Sequence, residues 1–316
     1  METSTARRIW TVLTGAVGLF LIGGPLWTVL STGDAVFHQH RSLLVLLIAS
    51  AVLGLGLLAL SVWRWRHPHR RTGGRRVLVA TGSGIGLVLM LVVGGTSVWL
   101  RPFAATDVAL AALESDSAVQ VTETADWYAF TPAEDATTGL VYSPGARVDA
   151  RATAAVLRPL AESGYLVIVL KEPLGIALTD LDQASGAIGT YDGIEHWAVG
   201  GHSLGGVSAA MYADQHPDQI DGLLLHASYP MDDMSDADLA VTSVSGSEDG
   251  LSTPAKIADS RSDLPSDTVF VEVEGAVHAF FADYGTQPGD GTPTVSRDEA
   301  QRQIIAAGLE LMDRIS

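Results

Sequence analysis

Three uncharged apolar runs in the first hundred residues constrain the fold of this chain more than any other feature. They cover residues 9–30, 42–63 and 77–100, with lengths of 22, 22 and 24 residues. An α-helix needs about 20 apolar residues to cross the hydrocarbon core of a bilayer. Three such runs, separated only by short polar links, predict a membrane domain of residues 1–100 with three transmembrane helices.

The first apolar run also has to be compared with a signal peptide, because Arg7 and Arg8 give it a basic start. A signal peptide has an apolar region of about 7–15 residues followed by a small-residue cleavage site. This run is longer, and no Ala-x-Ala-like site follows it before Asp34. We therefore interpret the run as a membrane anchor.

Charge is divided unevenly along the chain. Residues 1–100 carry nine arginines against two acidic residues, a net charge of +7, and residues 101–316 carry −24, which together give −17. Six of the nine arginines lie in the link of residues 64–76, whereas the link of residues 31–41 holds one arginine and one aspartate. Positive residues near membrane ends stay in the cytoplasm. The distribution predicts a multi-pass plasma-membrane protein with a cytoplasmic N-terminus and an extracytoplasmic region after Arg101. It also favours the lipid bilayer, and not nucleic acid, as the partner of the basic residues.

From residue 119 onward, short β-rich runs alternate with amphipathic helical runs. Tyr165–Leu170 is wholly apolar, as in a strand buried on both faces, and Ser296 with Glu299 forms a helix-capping motif. The alternation predicts an α/β domain of residues 119–316 with a mostly parallel, doubly wound sheet, preceded by a linker with a helix at residues 101–118. The predicted strands are 119–121, 126–130, 139–143, 165–170, 196–200, 222–226, 240–244 and 268–273, and the predicted helices are 149–163, 205–215 and 296–312.

A Gly-x-Ser-x-Gly motif, Gly201–Gly205, directly follows the predicted strand of residues 196–200 and opens the next helix. This context is typical of a nucleophile elbow, a strand-to-helix turn too tight for a Cβ at either glycine. The turn exposes the serine at a helix N-terminus, where backbone N–H groups stabilise negative charge. We predict that Ser203 is a catalytic nucleophile, with a plain tight turn as the alternative.

A nucleophilic serine needs a base, and the base needs an orienting acid. In this type of sheet the acid and the histidine follow the serine in chain order. His278 comes just after the strand of residues 268–273, and Glu248 and Asp249 come just after the strand of residues 240–244. The carboxyl ends of parallel strands share one sheet edge. We predict His278 as the base, and we favour Asp249 over Glu248 because the adjacent Gly250 suits a tight turn.

Acyl transfer also needs two backbone N–H donors for the negative oxygen that develops in the transition state. One donor is expected at Leu204, the residue after the nucleophile, and the other in the loop that follows an earlier strand. Pro144, Gly145 and Ala146 occupy that loop. We assign the second donor to Ala146, and a simple turn is the alternative.

Four stretches of residues 139–315 carry a family resemblance: YSPGARVD (142–149), WAVGGHSLGG (197–206), GSEDGLSTPAKI (246–257) and EGAVHAFFADYGTQPGDGTPT (274–294). They resemble the α/β-hydrolase family, in particular its compact members near the dienelactone hydrolases. The resemblance implies an α/β-hydrolase fold without a cap domain, a triad of Ser203, Asp249 and His278, and an oxyanion hole of the Ala146 and Leu204 amides. Dienelactone hydrolases use a cysteine at the position of Ser203, so their lactone substrate does not transfer.

These features together predict a membrane-anchored serine hydrolase that cleaves an ester, thioester or lactone bond in a small-molecule acyl substrate. The chain has no cysteine, which excludes disulfides and cysteine-ligated metals, and we expect no metal and no cofactor. A catalytically vestigial domain that binds an extracytoplasmic ligand or partner is the alternative function. The natural substrate and the oligomeric state stay open.

Overall fold

A computed structural model describes residues 2–67 and 74–316 of the chain. The predicted basic link of residues 64–76 therefore lies partly outside the described residues, since it includes residues 68–73. Contacts between residues divide the chain into two units. One is helical and comprises the residues up to Phe37 together with Arg41–Arg101, and the other comprises His38–His40 and Pro102–Ser316.

The helical unit contains three long apolar helices, as predicted. They are α1 (Glu2–Thr32), α3 (Arg41–Arg66) and α4 (Gly74–Trp99), and a four-residue helix, α2 (Ala35–His38), follows α1. All three long helices are long and apolar enough to cross a membrane. Each is longer than the apolar run that predicted it, because hydropathy marks only the uncharged part of a helix and the polar residues at its ends continue the same backbone.

Helices α1 and α3 approach each other closely at a pair of glycines. A Cβ added at Gly54 would lie 2.7 Å from the carbonyl oxygen of Gly18. Near this contact the Ser50 hydroxyl donates a hydrogen bond to the carbonyl oxygen of Leu21 at 3.0 Å. Small residues and hydroxyl hydrogen bonds of this kind stabilise helix contacts in an apolar environment, where burial of apolar surface contributes little.

The second unit, whose residues 102–316 are all described, is built on one eight-stranded sheet. Its strands are β1 (Val119–Glu123), β2 (Trp127–Pro132), β3 (Thr138–Ser143), β4 (Leu166–Leu170), β5 (His196–His202), β6 (Gly222–His226), β7 (Ala240–Gly246) and β8 (Val269–Val273). Their order across the sheet is β1-β2-β4-β3-β5-β6-β7-β8. Strands β1 and β2 are antiparallel to their neighbours, and every pair from β4 to β8 is parallel. This confirms the mostly parallel sheet.

Helices cover both faces of this sheet, so it is doubly wound. Val167 and Val169 of β4 belong to the core that α6 (Ala154–Glu162) and α10 (Arg297–Ile315) cover. Leu166, Ile168 and Leu170 face the opposite core, beneath α7 (Gln183–Ile188) and α8 (Leu204–Gln215). Two shorter helices, α5 (Asp107–Ala111) and α9 (Pro254–Asp259), complete the unit. The unbroken apolar run in β4 thus reflects burial on both faces.

Three local features of the structure can be compared with the elements predicted from the sequence. The predicted helix of residues 149–163 begins as a 3-10 turn, Ala150–Thr153, because the Asp149 side chain accepts a hydrogen bond from the Arg151 backbone N–H. The Ser296 hydroxyl accepts a hydrogen bond from the Glu299 backbone N–H at 3.2 Å and begins α10 as predicted. Residues 227–239, all described, contain no helix, so this fold has no cap between β6 and β7.

Candidate active site

The turn between β5 and α8 places Ser203 in a strained backbone conformation. Its φ of 53° and ψ of −123° lie outside the regions that side chains ordinarily adopt. The turn is crowded, since a Cβ at Gly205 would lie 2.0 Å from the carbonyl oxygen of Ser143 and one at Gly201 would lie 2.3 Å from the Gly205 carbonyl carbon. The Ser203 N–H donates to the His226 carbonyl oxygen at 3.0 Å. The turn holds Ser203 half-exposed at the carboxyl edge of the sheet.

Asp249 and His278 meet at the same edge, each in the loop that follows its strand. Oδ2 of Asp249 lies 2.8 Å from Nδ1 of His278, and neither side chain is exposed to solvent. The other carboxylate oxygen of Asp249 accepts hydrogen bonds from the backbone N–H groups of Leu251 at 2.7 Å and Ser252 at 2.8 Å. Glu248, the other candidate acid, is exposed. Of the two acids, both of which are described, Asp249 is therefore the one that contacts His278.

The second ring nitrogen of His278, Nε2, is the atom that could exchange a proton in catalysis. Nε2 is buried and accepts or donates no hydrogen bond among residues 2–67 and 74–316. The structure therefore does not join Ser203 to His278 by a hydrogen bond. In the absence of substrate such bonds are often long and tighten only in the complex. With Nδ1 held by Asp249, Nε2 is the nitrogen left to accept a proton.

The two predicted oxyanion donors have no internal acceptor among the described residues, and the same is true of the N–H groups of the adjacent Gly145 and Gly205. Within the described residues, the backbone N–H groups of Ala146 and Leu204 donate to no protein group. By contrast, the N–H of Arg147 donates to the Gly175 carbonyl oxygen at 2.7 Å, and that of Gly206 donates to the Ser203 carbonyl oxygen at 3.0 Å. Both candidate donors are partly exposed. They belong to backbone segments in direct contact, since a Cβ at Gly205 would lie 2.4 Å from the Pro144 carbonyl oxygen.

Two further buried histidines, His202 and His226, lie at the same end of the sheet, and the sequence assigned neither one to the site. The His202 ring lies 4.5 Å from the His278 ring, measured between centroids, and burial, assisted by His278 and His226, lowers the pKa of His202 well below its usual value. His226 is bonded through Nδ1 to the Tyr142 hydroxyl at 2.9 Å, and burial lowers its pKa to about 3. Both rings are therefore neutral at neutral pH. The His202 ring packs on His278, and the His226 ring lies 5.6 Å from the Phe281 ring, measured between centroids.

The contact of His202 with His278 and that of His226 with Tyr142 could not be predicted from a single sequence, because each joins residues far apart in the chain. No group of three or more histidine, aspartate or glutamate side chains in the described ranges 2–67 and 74–316 is arranged to hold a metal ion.

Asp290 is another residue to which the sequence analysis gave no role, and its carboxylate contacts the loops of both His278 and Asp249. In the sequence, an aspartate between Gly289 and Gly291 indicates only a tight turn. It does not indicate a functional role for the side chain.

A mostly parallel sheet with a serine on a strained strand-to-helix turn, and a buried aspartate–histidine pair beyond later strands, is the architecture of the α/β-hydrolase fold class. The chain belongs to the alpha/beta hydrolase family, whose family model matches residues 139–303, slightly more than half of the chain. No curated protein matches it. Among solved structures it is similar to Est1E from Butyrivibrio proteoclasticus, with 13% sequence identity and a TM-score of 0.47. That match covers 62% of this chain and 100% of the other.

Proposed function

We propose that this protein is a membrane-anchored serine hydrolase that cleaves an ester or related acyl bond through an acyl-enzyme on Ser203. The observation that carries the proposal is the buried contact of 2.8 Å between Asp249 and His278. It lies at the sheet edge where Ser203 stands half-exposed on its strained turn. Nε2 of His278 has no hydrogen-bond partner among the described residues, so it is left to exchange a proton with Ser203 and the substrate.

The reaction begins when the Ser203 hydroxyl attacks the substrate carbonyl carbon and its proton passes to Nε2 of His278. Asp249 accepts a hydrogen bond from Nδ1–H, which keeps the neutral imidazole in the tautomer with a free lone pair on Nε2. The substrate carbonyl oxygen becomes an oxyanion and accepts hydrogen bonds from the N–H groups of Ala146 and Leu204. Removal of one such donor typically raises the activation free energy by about 3–4 kcal/mol.

The tetrahedral intermediate then collapses, and the bond between the acyl carbon and the leaving oxygen breaks. The proton on Nε2 of His278 passes to the departing alkoxide, so an alcohol leaves and Ser203 retains the acyl group as an ester. A water molecule next gives a proton to the same Nε2 as it attacks the acyl carbon. Collapse of this second intermediate returns the proton to the Ser203 oxygen and releases the carboxylic acid.

The substrate class follows from the architecture around the site. The segment between β6 and β7 adds no helical cap, so little encloses a large hydrophobic substrate. We propose small-molecule esters as substrates, with thioesters and lactones as chemically related alternatives. The charge of −24 on residues 101–316 disfavours anionic substrates at long range, so neutral and cationic esters are preferred.

The proposed location follows from the helices and the arginines. Helices α1, α3 and α4 are long and apolar enough to cross a bilayer, and eight of the nine arginines of residues 1–100 precede α1's apolar run or lie within residues 64–76. Such residues stay in the cytoplasm. Three crossings then place the hydrolase unit outside the plasma membrane. The helices serve as an anchor in this proposal.

Hydrolysis of p-nitrophenyl acetate by the full chain in detergent tests the proposal. Wild type should release p-nitrophenol, and the Ser203→Ala variant, with an unchanged melting temperature, should lose nearly all of that activity. Full activity in the variant would overturn the proposal. An inactive wild type with a folded hydrolase unit would support the vestigial binding domain instead.

A further inference from the structure

Asp290 contacts the backbone on which the base is mounted. Its Oδ1 accepts a hydrogen bond from the His278 N–H at 3.0 Å, and its Oδ2 accepts one from the Ala279 N–H at 2.8 Å. These N–H groups open the one-turn 3-10 helix His278–Phe281, whose preceding residue supplies no side-chain cap. A carboxylate is a favourable acceptor for N–H groups at the start of a helical turn. Asp290 thus fixes the direction in which the His278 side chain leaves the backbone.

The same carboxylate also contacts the loop of the acid. Oδ1 of Asp290 accepts a longer hydrogen bond from the Gly250 N–H at 3.3 Å and another from the Gly291 N–H at 2.8 Å. Gly250 directly follows Asp249. A single half-buried carboxylate therefore binds the backbone of His278 itself and of the residue next to Asp249. Charge-assisted hydrogen bonds of this kind are about twice as strong as neutral ones.

The backbone around Asp290 fits against the acid loop without room for side chains. A Cβ added at Gly291 would lie 1.7 Å from the carbonyl oxygen of Glu248, and one at Gly250 would lie 2.6 Å from that of Gly289. A backbone hydrogen bond of 2.9 Å, from the Glu248 N–H to the Ala276 carbonyl oxygen, joins the two loops nearer the sheet. The segment Gly289–Gly291 therefore packs directly against Glu248 and Gly250 of the acid loop.

We propose that Asp290 is a positioning residue of this hydrolase, which sets the distance between Asp249 and His278 by holding the two loops together; this role rests on the proposed function. Asp290 contacts no reacting atom and acts only through the two loops. Displacement of a catalytic group by about 1 Å costs on the order of 100-fold in rate. Loss of the carboxylate therefore reduces turnover more than it reduces substrate binding.

The test compares Asp290→Ala and Asp290→Asn with Asp283→Asn in the full chain. Asp283 lies in the same loop, but its carboxylate contacts α10, through Gln301 at 3.0 Å and Arg297 at 3.7 Å. We expect Asp290→Ala to lower kcat for p-nitrophenyl acetate by roughly 10- to 100-fold, with a KM within about twofold of wild type. Asp290→Asn, which keeps one acceptor oxygen, should lose less. Asp283→Asn should lower the melting temperature without lowering kcat.

A second readout does not depend on turnover. The proton shared by Nδ1 of His278 and Asp249 gives a downfield NMR resonance, which should shift or broaden in both Asp290 variants and stay in place in Asp283→Asn. Unchanged kcat and an unchanged resonance in Asp290→Ala would overturn the positioning role, as would a loss of kcat in Asp283→Asn that parallels its loss of stability. A shifted resonance in Asp290→Ala together with an inactive wild type would support the positioning of the pair and overturn the proposed function alone.

Discussion

Oδ2 of Asp249 and Nδ1 of His278 are 2.8 Å apart, and both side chains are fully enclosed by protein. The opposite carboxylate oxygen is occupied by the N–H groups of Leu251 and Ser252. Those two donors fix which oxygen faces the histidine. The relationship therefore determines the tautomer of His278 as well as its orientation.

Asp249→Asn should lower kcat for p-nitrophenyl acetate by about 10³- to 10⁴-fold. The N–H groups of Leu251 and Ser252 would retain the amide oxygen of the variant, which turns its NH₂ toward Nδ1 of His278. Nδ1 must then accept, the proton moves to Nε2, and Ser203 loses its base. Glu248→Gln is the matched control, because Glu248 is exposed, and it should behave as wild type. Equal losses in the two variants would contradict this account of the acid.

Gly205→Ala should lower the free energy of unfolding by about 2–3 kcal/mol and abolish activity. The added Cβ would meet the Ser143 carbonyl oxygen at 2.0 Å, so the loop that bears Ala146 must shift. Gly186→Ala is the control, since Gly186 lies inside α7 with nothing within 4 Å of an added Cβ, and it should be neutral or stabilising by up to about 1 kcal/mol. Thermal unfolding measures both. A Gly205→Ala variant as stable and active as wild type would contradict the elbow geometry.

Glu172→Gln should remove a pH-dependent loss of stability. Both carboxyl oxygens of Glu172 are buried, and neither makes a hydrogen bond of normal geometry among residues 2–67 and 74–316. Burial raises its pKa from 4.5 to about 7, and the nearby Ser143 hydroxyl offsets only part of that rise. Above about pH 4.5 the unfolded chain ionises while the folded protein still holds the proton. The free energy of unfolding therefore falls by about 3 kcal/mol between pH 4.5 and pH 7 or slightly above.

Melting temperatures at pH 5 and pH 8 measure this effect. The difference between the two should shrink in Glu172→Gln and should stay at the wild-type value in Glu134→Gln, whose side chain is exposed. The same pH dependence in wild type and Glu172→Gln would show that the buried carboxyl is not its source.

The orientation of the chain can be measured with single cysteines, because the sequence has none. Thr5→Cys and Ala133→Cys alter exposed positions near the N-terminus and in the hydrolase unit. A membrane-impermeant maleimide applied to spheroplasts should label the Ala133→Cys variant and leave the Thr5→Cys variant unlabelled until the membrane is permeabilised. The reverse pattern would place the hydrolase unit in the cytoplasm and contradict the assignment made from the arginines.

Much of this fold could be predicted because the burial and packing of its main elements produce recognisable local patterns in the sequence. The apolar run of β4 is continuous because both faces of that strand are covered. The elbow is visible because the turn at Ser203 excludes side chains at Gly201 and Gly205. Short helices such as α7 and α9 were not predicted, since six residues are too few to establish a helical period.

The contacts around the candidate site were harder to predict from the sequence, for a different physical reason. The packing of His202 on His278 and the hydrogen bonds of Asp290 join positions far apart in the chain. Their partners are a ring face and backbone N–H groups, neither of which requires a particular residue type at the other end. Such contacts depend on the path of a loop and leave no periodic pattern.

Labelling of the full chain with a fluorophosphonate probe tests the central claim most directly, because the probe forms a covalent bond only with an activated serine. Mass spectrometry of labelled wild type should find the adduct on the peptide that contains Ser203, and the Ser203→Ala variant should remain unlabelled. Asp249→Asn should react far more slowly than wild type. Absence of an adduct on folded wild type, or an adduct that persists in Ser203→Ala, would contradict the assignment of Ser203 as the nucleophile.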